Sequence, residues 1–338
     1  AAALGDLAAG DCASLRLGAG LFAASAAAAT PGPTPWFEDG FEWVEDEGYY
    51  ELDVEVLGRG PCRLGAASRL AVADGPPLPL LGLGLYEVSP SDAYRATLEA
   101  LRMGYRLVDT ASMYGNEAAV GAALRDAGVA RAEVTIVSKV NAPDHGYCET
   151  LRAIDRSRSQ LGVECVDLML VHSPLGGRLL ETWDAMLEAR RRGWVRQVGV
   201  SNFGEGHLRR LEEAGRGRPA VNQIEVSPFN QERGVRAFCR RRSVAVMSYS
   251  PLTRGERLND SRVLEVARRR GRTSAQVMLR WAVQQGLCVV AKSTRASRLR
   301  ENLGALDFFL GEEDLVQLGA CEEGLHTCWN CLEAAWDG

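Results

Sequence analysis

The chain has 338 residues, of which 46% are hydrophobic and 25% charged, and its formal net charge is −5 at pH 7. These values are ordinary for a globular protein, and the weakly acidic balance offers no general attraction to nucleic acid or to an anionic membrane. No run of eighteen apolar residues occurs, so the sequence predicts no transmembrane helix.

Residues 1–65 are predicted to form an extension ahead of the main domain at 66–338. The first 35 residues are rich in Ala and Gly, and residues 36–56 hold nine carboxylates, six aromatic residues and no basic residue. The acidic composition favours a disordered arm, but disordered segments are usually poor in aromatic residues. Docking of this arm on a protein partner or on the chain's own domain is therefore the alternative. A start that lacks Met and is rich in Ala resembles a processed organellar precursor, which slightly favours a plastid over the cytoplasm.

The main domain begins with a predicted hairpin at 69–83, which has Asp-Gly near its tip. Eight short apolar runs follow, and a stretch with helical period comes after each of them. Three of these stretches end in a glycine, Gly104, Gly193 or Gly286, which is typical of a helix end. The runs lie at 80–85, 105–110, 134–139, 166–172, 195–201, 220–225, 243–250 and 287–292.

The alternation of strands and helices indicates a parallel sheet, and strands that are apolar throughout indicate burial on both faces. Eight such units predict a closed (β/α)8 TIM barrel, preceded by the N-terminal hairpin and the added extension. The alternative is a doubly wound open sheet, which needs a glycine-rich phosphate loop after its first strand. Residues 82–90 contain only G-x-G, and this argues against the open sheet.

Polar side chains stand at or just after the ends of seven of the eight apolar runs. A single such residue is most often the first solvated position of a loop, but in a barrel all the strand ends open on one face. Their convergence therefore predicts a functional site. The residues are Asp109, Lys139, His172, Ser201, Asn202, Gln223, Tyr249, Lys292 and Ser293.

A tyrosine near a lysine suggests proton transfer, and Tyr114 follows Asp109 by a short loop. A cation about 4 Å from the phenol, at an effective dielectric constant of ~20, stabilises the phenolate by roughly 4 kcal/mol. We therefore expect Lys139 to lower the pKa of Tyr114, with Asp109 offsetting part of the effect. His172 would bind a substrate oxygen or relay the proton. The sequence has no H-E-x-x-H motif and no serine nucleophile elbow, so no metal site is predicted.

Seven ordered motifs in this chain resemble those of aldo-keto reductases, from about Leu70 to about Trp329. The resemblance implies a (β/α)8 barrel that binds NADPH without a Rossmann domain. The motifs are GYRLVDTASMYGNE, TIVSK, DLMLVHSP, VGVSNF, VNQIEVSPFNQ, SYSPL and AKSTRASRLRENL.

The resemblance also implies roles for individual residues. Asp109, Tyr114, Lys139 and His172 match the catalytic tetrad, with Tyr114 as the general acid. The positions that match cofactor contacts are Ser201, Asn202 and Gln223 for the nicotinamide carboxamide, Tyr249 for the nicotinamide ring with Ser250 and Leu252 beside it, Lys292, Ser293 and Arg298 for the 2′-phosphate, and Glu301 and Asn302 for the adenine. A lysine and an arginine together suit a phosphate dianion, so NADPH is favoured over NADH.

Two positions of the substrate pocket depart from the commonest family pattern. Tyr86 and Ser173 stand where many members have Trp, which suggests a wider or more polar pocket. The segment at 324–338 contains Cys328 and Cys331 in a C-x-x-C spacing, which allows a redox pair or half a zinc site. No βαβ unit surrounds this motif, so incidental thiols are the favoured interpretation. Two further histidines, His145 and His207, are expected on the solvated surface.

The function that this sequence predicts is the NADPH-dependent reduction of small aldehydes and ketones to alcohols. One alternative is an accessory subunit of a larger, possibly organellar, assembly, docked through residues 1–65, with the barrel passive or redox-sensing. Another is an isomerase or aldolase with a Schiff base on Lys139, although pairing with Asp109 would keep that amine charged.

Overall fold

The computed structural model describes residues 64–336, apart from 66–67 and 74, together with the backbone of the two-residue strand Ser14–Leu15 (β1). The acidic, aromatic segment at 36–56 lies outside the described residues, and so does the docking role considered for it. Among the described residues, no helix combines the length and apolarity needed to cross a membrane.

The N-terminal hairpin is confirmed and covers the amino end of the barrel. Strand β2 (Arg69–Leu70) pairs antiparallel with β3 (Leu78–Pro79) and parallel with β1. The backbone of Gly75 lies against the side chain of Gln197, which is near the start of β8 (Val195–Ser201). The hairpin therefore packs at the end of the barrel opposite the predicted site.

Eight parallel strands form a closed barrel, as predicted. Each strand falls on one of the eight apolar runs, and the residues of these strands are almost all buried because helices cover the outer face. The barrel closes where β11 pairs with β4, from Val289 opposite Leu81 to Lys292 opposite Gly84. The strands are β4 (Leu81–Gly84), β5 (Leu107–Asp109), β6 (Thr135–Val140), β7 (Val166–Val171), β8 (Val195–Ser201), β9 (Val221–Glu225), β10 (Ala245–Tyr249) and β11 (Cys288–Lys292).

The helices follow the strands and pack on the outside of the barrel. Gly104, Gly193 and Gly286 have φ values of 103°, 74° and 75°. These values lie in the left-handed region that favours glycine at helix ends, so the three predicted helix ends are confirmed. The helices are α1 (Pro90–Arg102), α2 (Glu117–Asp126), α3 (Tyr147–Leu161), α4 (Leu179–Arg191), α5 (Glu205–Glu213), α6 (Arg233–Arg241), α7 (Ser261–Arg270), α8 (Ser274–Gln284), α9 (Ala296–Leu303) and α10 (Glu312–Gly319).

Candidate active site

A cavity of about 740 Å³ opens at the carboxyl ends of the barrel strands. A second cavity of about 820 Å³, between α5, α6 and the C-terminal residues, holds none of the predicted site residues, so chemistry rather than size identifies the site. The predicted residues that line the first cavity are Tyr86, Asp109, Tyr114, His172, Ser201, Asn202, Gln223, Tyr249, Ser250, Leu252, Lys292, Ser293, Arg298, Glu301 and Asn302.

Lys139, on β6, lies behind the cavity wall with 1% of its surface exposed. Its Nζ atom donates to Asp109 Oδ1 at 2.7 Å, to the Thr110 carbonyl oxygen at 2.9 Å and to the Tyr114 hydroxyl at 3.2 Å. An ammonium group has three donors, and each has an acceptor here. The amine is thus held as an ammonium, which argues against a Schiff base at this position.

Asp109 connects the lysine to the opposite side of the barrel. Its second oxygen, Oδ2, accepts from Gln223 Nε2 at 2.7 Å, so both carboxylate oxygens are engaged. Gln223 lies on β9. One hydrogen bond therefore joins Asp109, a member of the predicted tetrad, to Gln223, a predicted cofactor residue.

The pKa of Tyr114 is raised well above 10, mainly because the phenol is buried and secondly because Asp109 is close. The predicted lowering of the Tyr114 pKa by Lys139 is therefore wrong. Burial also lowers the pKa of Lys139, while Asp109 opposes that change. At neutral pH Tyr114 consequently carries its proton, which a general acid requires.

His172 follows β7 and faces the same cavity as Tyr114. The two ring centroids lie 5.8 Å apart in an edge-on arrangement. Burial, and then the charge of Lys139, lowers the pKa of His172 to about 3, so the imidazole is neutral at physiological pH. A neutral imidazole has one N–H group that can donate to a substrate oxygen.

Asn202 joins the ends of three strands. Its Nδ2 donates to the His172 carbonyl oxygen at 3.0 Å and to Ser201 Oγ at 3.1 Å, and its Oδ1 accepts from the Tyr249 hydroxyl at 2.7 Å. Its φ of 61° is a left-handed value, which asparagine tolerates better than most residues. Ser201, Asn202 and Tyr249 therefore form a fixed polar wall beside the tetrad.

The far end of the cavity is cationic. Lys292 and Arg298 line it, and both are exposed. Lys292 Nζ lies 3.4 Å from Glu87 Oε2, and the same carboxylate pairs with Arg254. Exposed Lys and Arg side chains at one end, with polar amides near the tetrad at the other, fit a ligand that has a phosphate group at the first end and a neutral amide at the second. This donor set matches a phosphorylated dinucleotide.

The side of the cavity predicted to take the substrate contains the expected Tyr86 ring and one aromatic ring that the sequence motifs did not reveal. Trp329, from the segment after α10, lies with its ring centroid 6.1 Å from that of His172. Tyr86 lies 5.2 Å from Tyr114, centroid to centroid. Ser173 is buried and accepts from the Leu175 backbone N–H, and it does not line the cavity. An indole is thus present even though neither expected position carries one.

The two cysteines of the C-x-x-C motif have different surroundings, and both are free thiols. Cys328 lines the cavity, with its sulfur 3.4 Å from Ser250 Oγ. Cys331 is buried and lies 3.8 Å from the Asn202 carbonyl oxygen. Within the described residues, no group of three or more His, Cys, Asp or Glu side chains is arranged to hold a metal ion.

The expectation that His145 and His207 are surface residues is wrong, because each has 3% of its surface exposed. His145 Nδ1 lies 3.0 Å from the Gly177 carbonyl oxygen. His207 receives the Gly204 backbone N–H on Nδ1, and its Nε2 lies 2.7 Å from the Ala334 carbonyl oxygen. Both rings fix loops around the site, and nothing in their local sequence distinguishes this role from solvation.

Comparison with known proteins agrees with this geometry. An aldo-keto reductase of Mycobacterium sp. (strain MCS) is 37% identical over 257 residues, which cover 75% of this chain and 91% of the relative. A 9,11-endoperoxide prostaglandin H2 reductase of Trypanosoma cruzi is 39% identical over 250 residues, with coverage of 73% and 88%. The crystal structure of a Bombyx mori aldo-keto reductase in complex with NADP superposes with a TM-score of 0.73 at 30% identity, covering 77% of this chain and 94% of that one.

The family model described as "Aldo/keto reductase family" matches residues 80–323, which is more than half of the chain. Members of this family are oxidoreductases that reduce carbonyl compounds and use NADPH. The matched region includes the whole barrel and every predicted site residue. The chain belongs to the aldo/keto reductase family.

Proposed function

We propose that this protein reduces aldehydes and ketones to alcohols with NADPH as the hydride donor and Tyr114 as the proton donor. The observation that carries the proposal is the 3.2 Å hydrogen bond between Lys139 Nζ and the Tyr114 hydroxyl, in a cavity that His172 also lines. Among the tyrosines that line the cavity, Tyr114 is the one whose hydroxyl contacts the buried ammonium of Lys139. That contact suits a group that must lose a proton during the reaction.

The residues divide the work of proton delivery. Tyr114 gives its proton to the carbonyl oxygen, and Lys139 stabilises the phenolate that remains. Asp109 holds the ammonium in place from the side opposite the phenol. The neutral His172 ring donates a hydrogen bond that orients the carbonyl oxygen. NADPH, when held in this cavity, would supply the hydride for the carbonyl carbon.

The cofactor assignment is part of the same proposal. Lys292, Ser293 and Arg298 would hold the 2′-phosphate, and Glu301 and Asn302 would contact the adenine. Ser201, Asn202 and Gln223 would hold the carboxamide, and Tyr249 would stack on the ring, with Ser250 and Leu252 beside it. The cationic end of the cavity supports NADPH over NADH, because a phosphate dianion gains charge-assisted hydrogen bonds there.

The test is the loss of NADPH absorbance in the presence of 4-nitrobenzaldehyde, with Tyr114→Phe as the variant. Loss of a general acid lowers kcat by roughly 10²–10⁴-fold, whereas NADPH affinity is expected to stay within about twofold. Tyr94→Phe is the matched control, because Tyr94 is a helix residue whose hydroxyl bonds to Asp126 away from the cavity. Full activity of the Tyr114 variant, or no turnover of any carbonyl compound by the wild type, would overturn the proposal.

A further inference from the structure

The last described residues form one wall of the active-site cavity. We refer to residues 322–336 as the C-terminal segment. It runs across the loops that follow β8 and β9, where the Glu323 and Leu325 N–H groups donate to the Phe229 carbonyl oxygen at 3.2 and 2.9 Å. The contact between His207 and the Ala334 carbonyl oxygen holds its other end.

A single buried carboxylate holds the middle of this segment. Glu225 is the last residue of β9 and has 4% of its surface exposed. Its Oε1 accepts from the Thr327 N–H at 2.9 Å and from the Thr327 hydroxyl, and its Oε2 accepts from the Cys328 N–H at 3.1 Å.

The position of Glu225 on β9 explains why its side chain reaches the C-terminal segment. Side chains two residues apart on a strand point to the same face, so Glu225 shares a face with Gln223, which contacts Asp109. A buried carboxylate must have donors in place of water, because leaving it unsatisfied costs several kcal/mol. Here those donors come from Thr327 and Cys328, so the buried charge specifies where the segment lies.

The residues next to this anchor are the ones that enter the cavity. Trp329 follows Cys328 directly and lies against His172, yet 42% of its surface remains exposed. A side chain so incompletely packed depends on its backbone for its position. The backbone of the two preceding residues is held by Glu225.

We propose that Glu225 is a positioning residue that sets Trp329 as the wall of the substrate subsite and so favours aromatic over small aliphatic carbonyl compounds. This inference rests on the proposed reductase function. Aromatic substrates would pack between Trp329 and the Tyr86 ring, since offset and edge-on ring pairs contribute about 0.5–1.5 kcal/mol each. Small aliphatic aldehydes would gain little from either ring.

The experiment compares kcat/KM for 4-nitrobenzaldehyde and for propanal in four single variants and one double variant. Glu225→Gln keeps the shape but replaces one acceptor oxygen with an amide donor that opposes the segment's own donors. Thr327→Val removes one donor and leaves Glu225 intact, and Trp329→Ala removes the wall itself. Glu323→Gln is the matched control, because Glu323 belongs to the same segment but pairs with Arg257 at the surface.

We expect Glu225→Gln and Trp329→Ala each to lower the ratio of aromatic to aliphatic kcat/KM by about tenfold, mainly through a higher KM for the aromatic aldehyde. Thr327→Val should act in the same direction with a smaller effect, and Glu323→Gln should leave the ratio unchanged. The double variant Glu225→Gln/Trp329→Ala should lose no more than Trp329→Ala alone, because both changes remove the same contact. An unchanged ratio in both Glu225→Gln and Thr327→Val would overturn the inference.

A second readout does not depend on turnover. In protein labelled with 5-fluorotryptophan, the fluorine resonance of Trp329 is identified by its loss in Trp329→Phe. Glu225→Gln and Thr327→Val should shift or broaden this resonance, and Glu323→Gln should not. If the wild type reduces no carbonyl compound, the proposed function fails, while the resonance still decides whether Glu225 positions Trp329. An unmoved resonance in both variants would refute the positioning role.

Discussion

At the level of single residues, burial decides the charge states in the active site more strongly than pairing does. The sequence placed Asp109, Lys139 and Tyr114 at neighbouring strand ends, and the structure brings them into contact. The direction of the Tyr114 pKa shift could not be read from that arrangement, because it depends on how completely the phenol is removed from water. Burial was equally unpredictable for His145 and His207, because no local motif indicates that these side chains are buried.

The depressed pKa of His172 should make the protein sensitive to mild acid. The folded-state pKa of about 3 lies below the unfolded-state value of about 6.5, so the unfolded chain binds the extra proton between these two values. The free energy of unfolding therefore falls as the pH falls through this window. We expect wild type to lose about 2 kcal/mol more than His172→Gln between pH 7 and pH 5.

Denaturant titrations of both proteins at pH 8, 7, 6 and 5 would measure this difference. The stability difference between the two proteins should stay constant from pH 8 to pH 7 and change only below pH 7. Parallel pH curves for wild type and His172→Gln down to pH 5 would show that the ring is not held neutral.

At the level of secondary structure, the strands were predictable because their apolar runs have no competing interpretation once eight of them alternate with helical stretches. Three helix ends were predictable from glycines, because glycine adopts a positive φ at little cost in free energy. The C-terminal segment was not predictable in this way, because its sequence has neither the hydrophobic period of a strand nor that of a helix. Contacts to β9 and to the loop after β8 hold it in place. Trp329 and Glu225 therefore escaped sequence reasoning, although Glu225 lies inside a recognised motif.

Substitution by alanine should have opposite effects on stability at two helix glycines. Gly121 lies where α2 packs closely against α3, whereas Gly234 lies in α6. A Cβ atom on Gly121 would overlap the carbonyl oxygen of Leu161, a backbone atom that cannot move aside easily, whereas Gly234 in α6 has open space. Gly121→Ala should lower the free energy of unfolding by about 1–3 kcal/mol. Gly234→Ala should raise it by up to about 1 kcal/mol, because alanine has the higher helix propensity.

Thermal and urea unfolding of the two variants beside wild type would check both directions. Each substitution adds one methyl group to a helix, so Gly234→Ala controls for the general effect of alanine. Equal stability changes in the two variants would mean that the contact between α2 and Leu161 leaves room for a methyl group.

At the level of the whole molecule, charge is divided unevenly along the chain. Residues 1–63 contain eleven acidic and three basic residues, a net charge of −8, so the remaining residues carry +3 against −5 for the whole chain. NADPH is an anion, and long-range attraction between unlike charges accelerates and strengthens association at low ionic strength. The acidic residues should therefore weaken cofactor binding without touching the cavity.

A protein that begins at Leu64 should bind NADPH up to several-fold more tightly than the full chain at ~0.01 M salt, where the screening length is about 30 Å. The advantage should vanish near ~1 M salt, where that length is about 3 Å. Fluorescence titrations across this range would measure it, with a full-length variant whose carboxylates at 36–56 are replaced by Gln and Asn as the control. A salt-independent difference would indicate direct contact rather than a long-range field.

Closure of the barrel between β4 and β11 has a consequence for the nascent chain during translation. Until residues 288–292 leave the ribosome, β4 and β10 each present a row of unpaired amide and carbonyl groups, which is a template for pairing with another chain. The period of greatest risk thus falls late in translation, when most of the apolar surface has already been made. A product that stops short of β11 would keep both edges open and would depend on chaperones for as long as it persists.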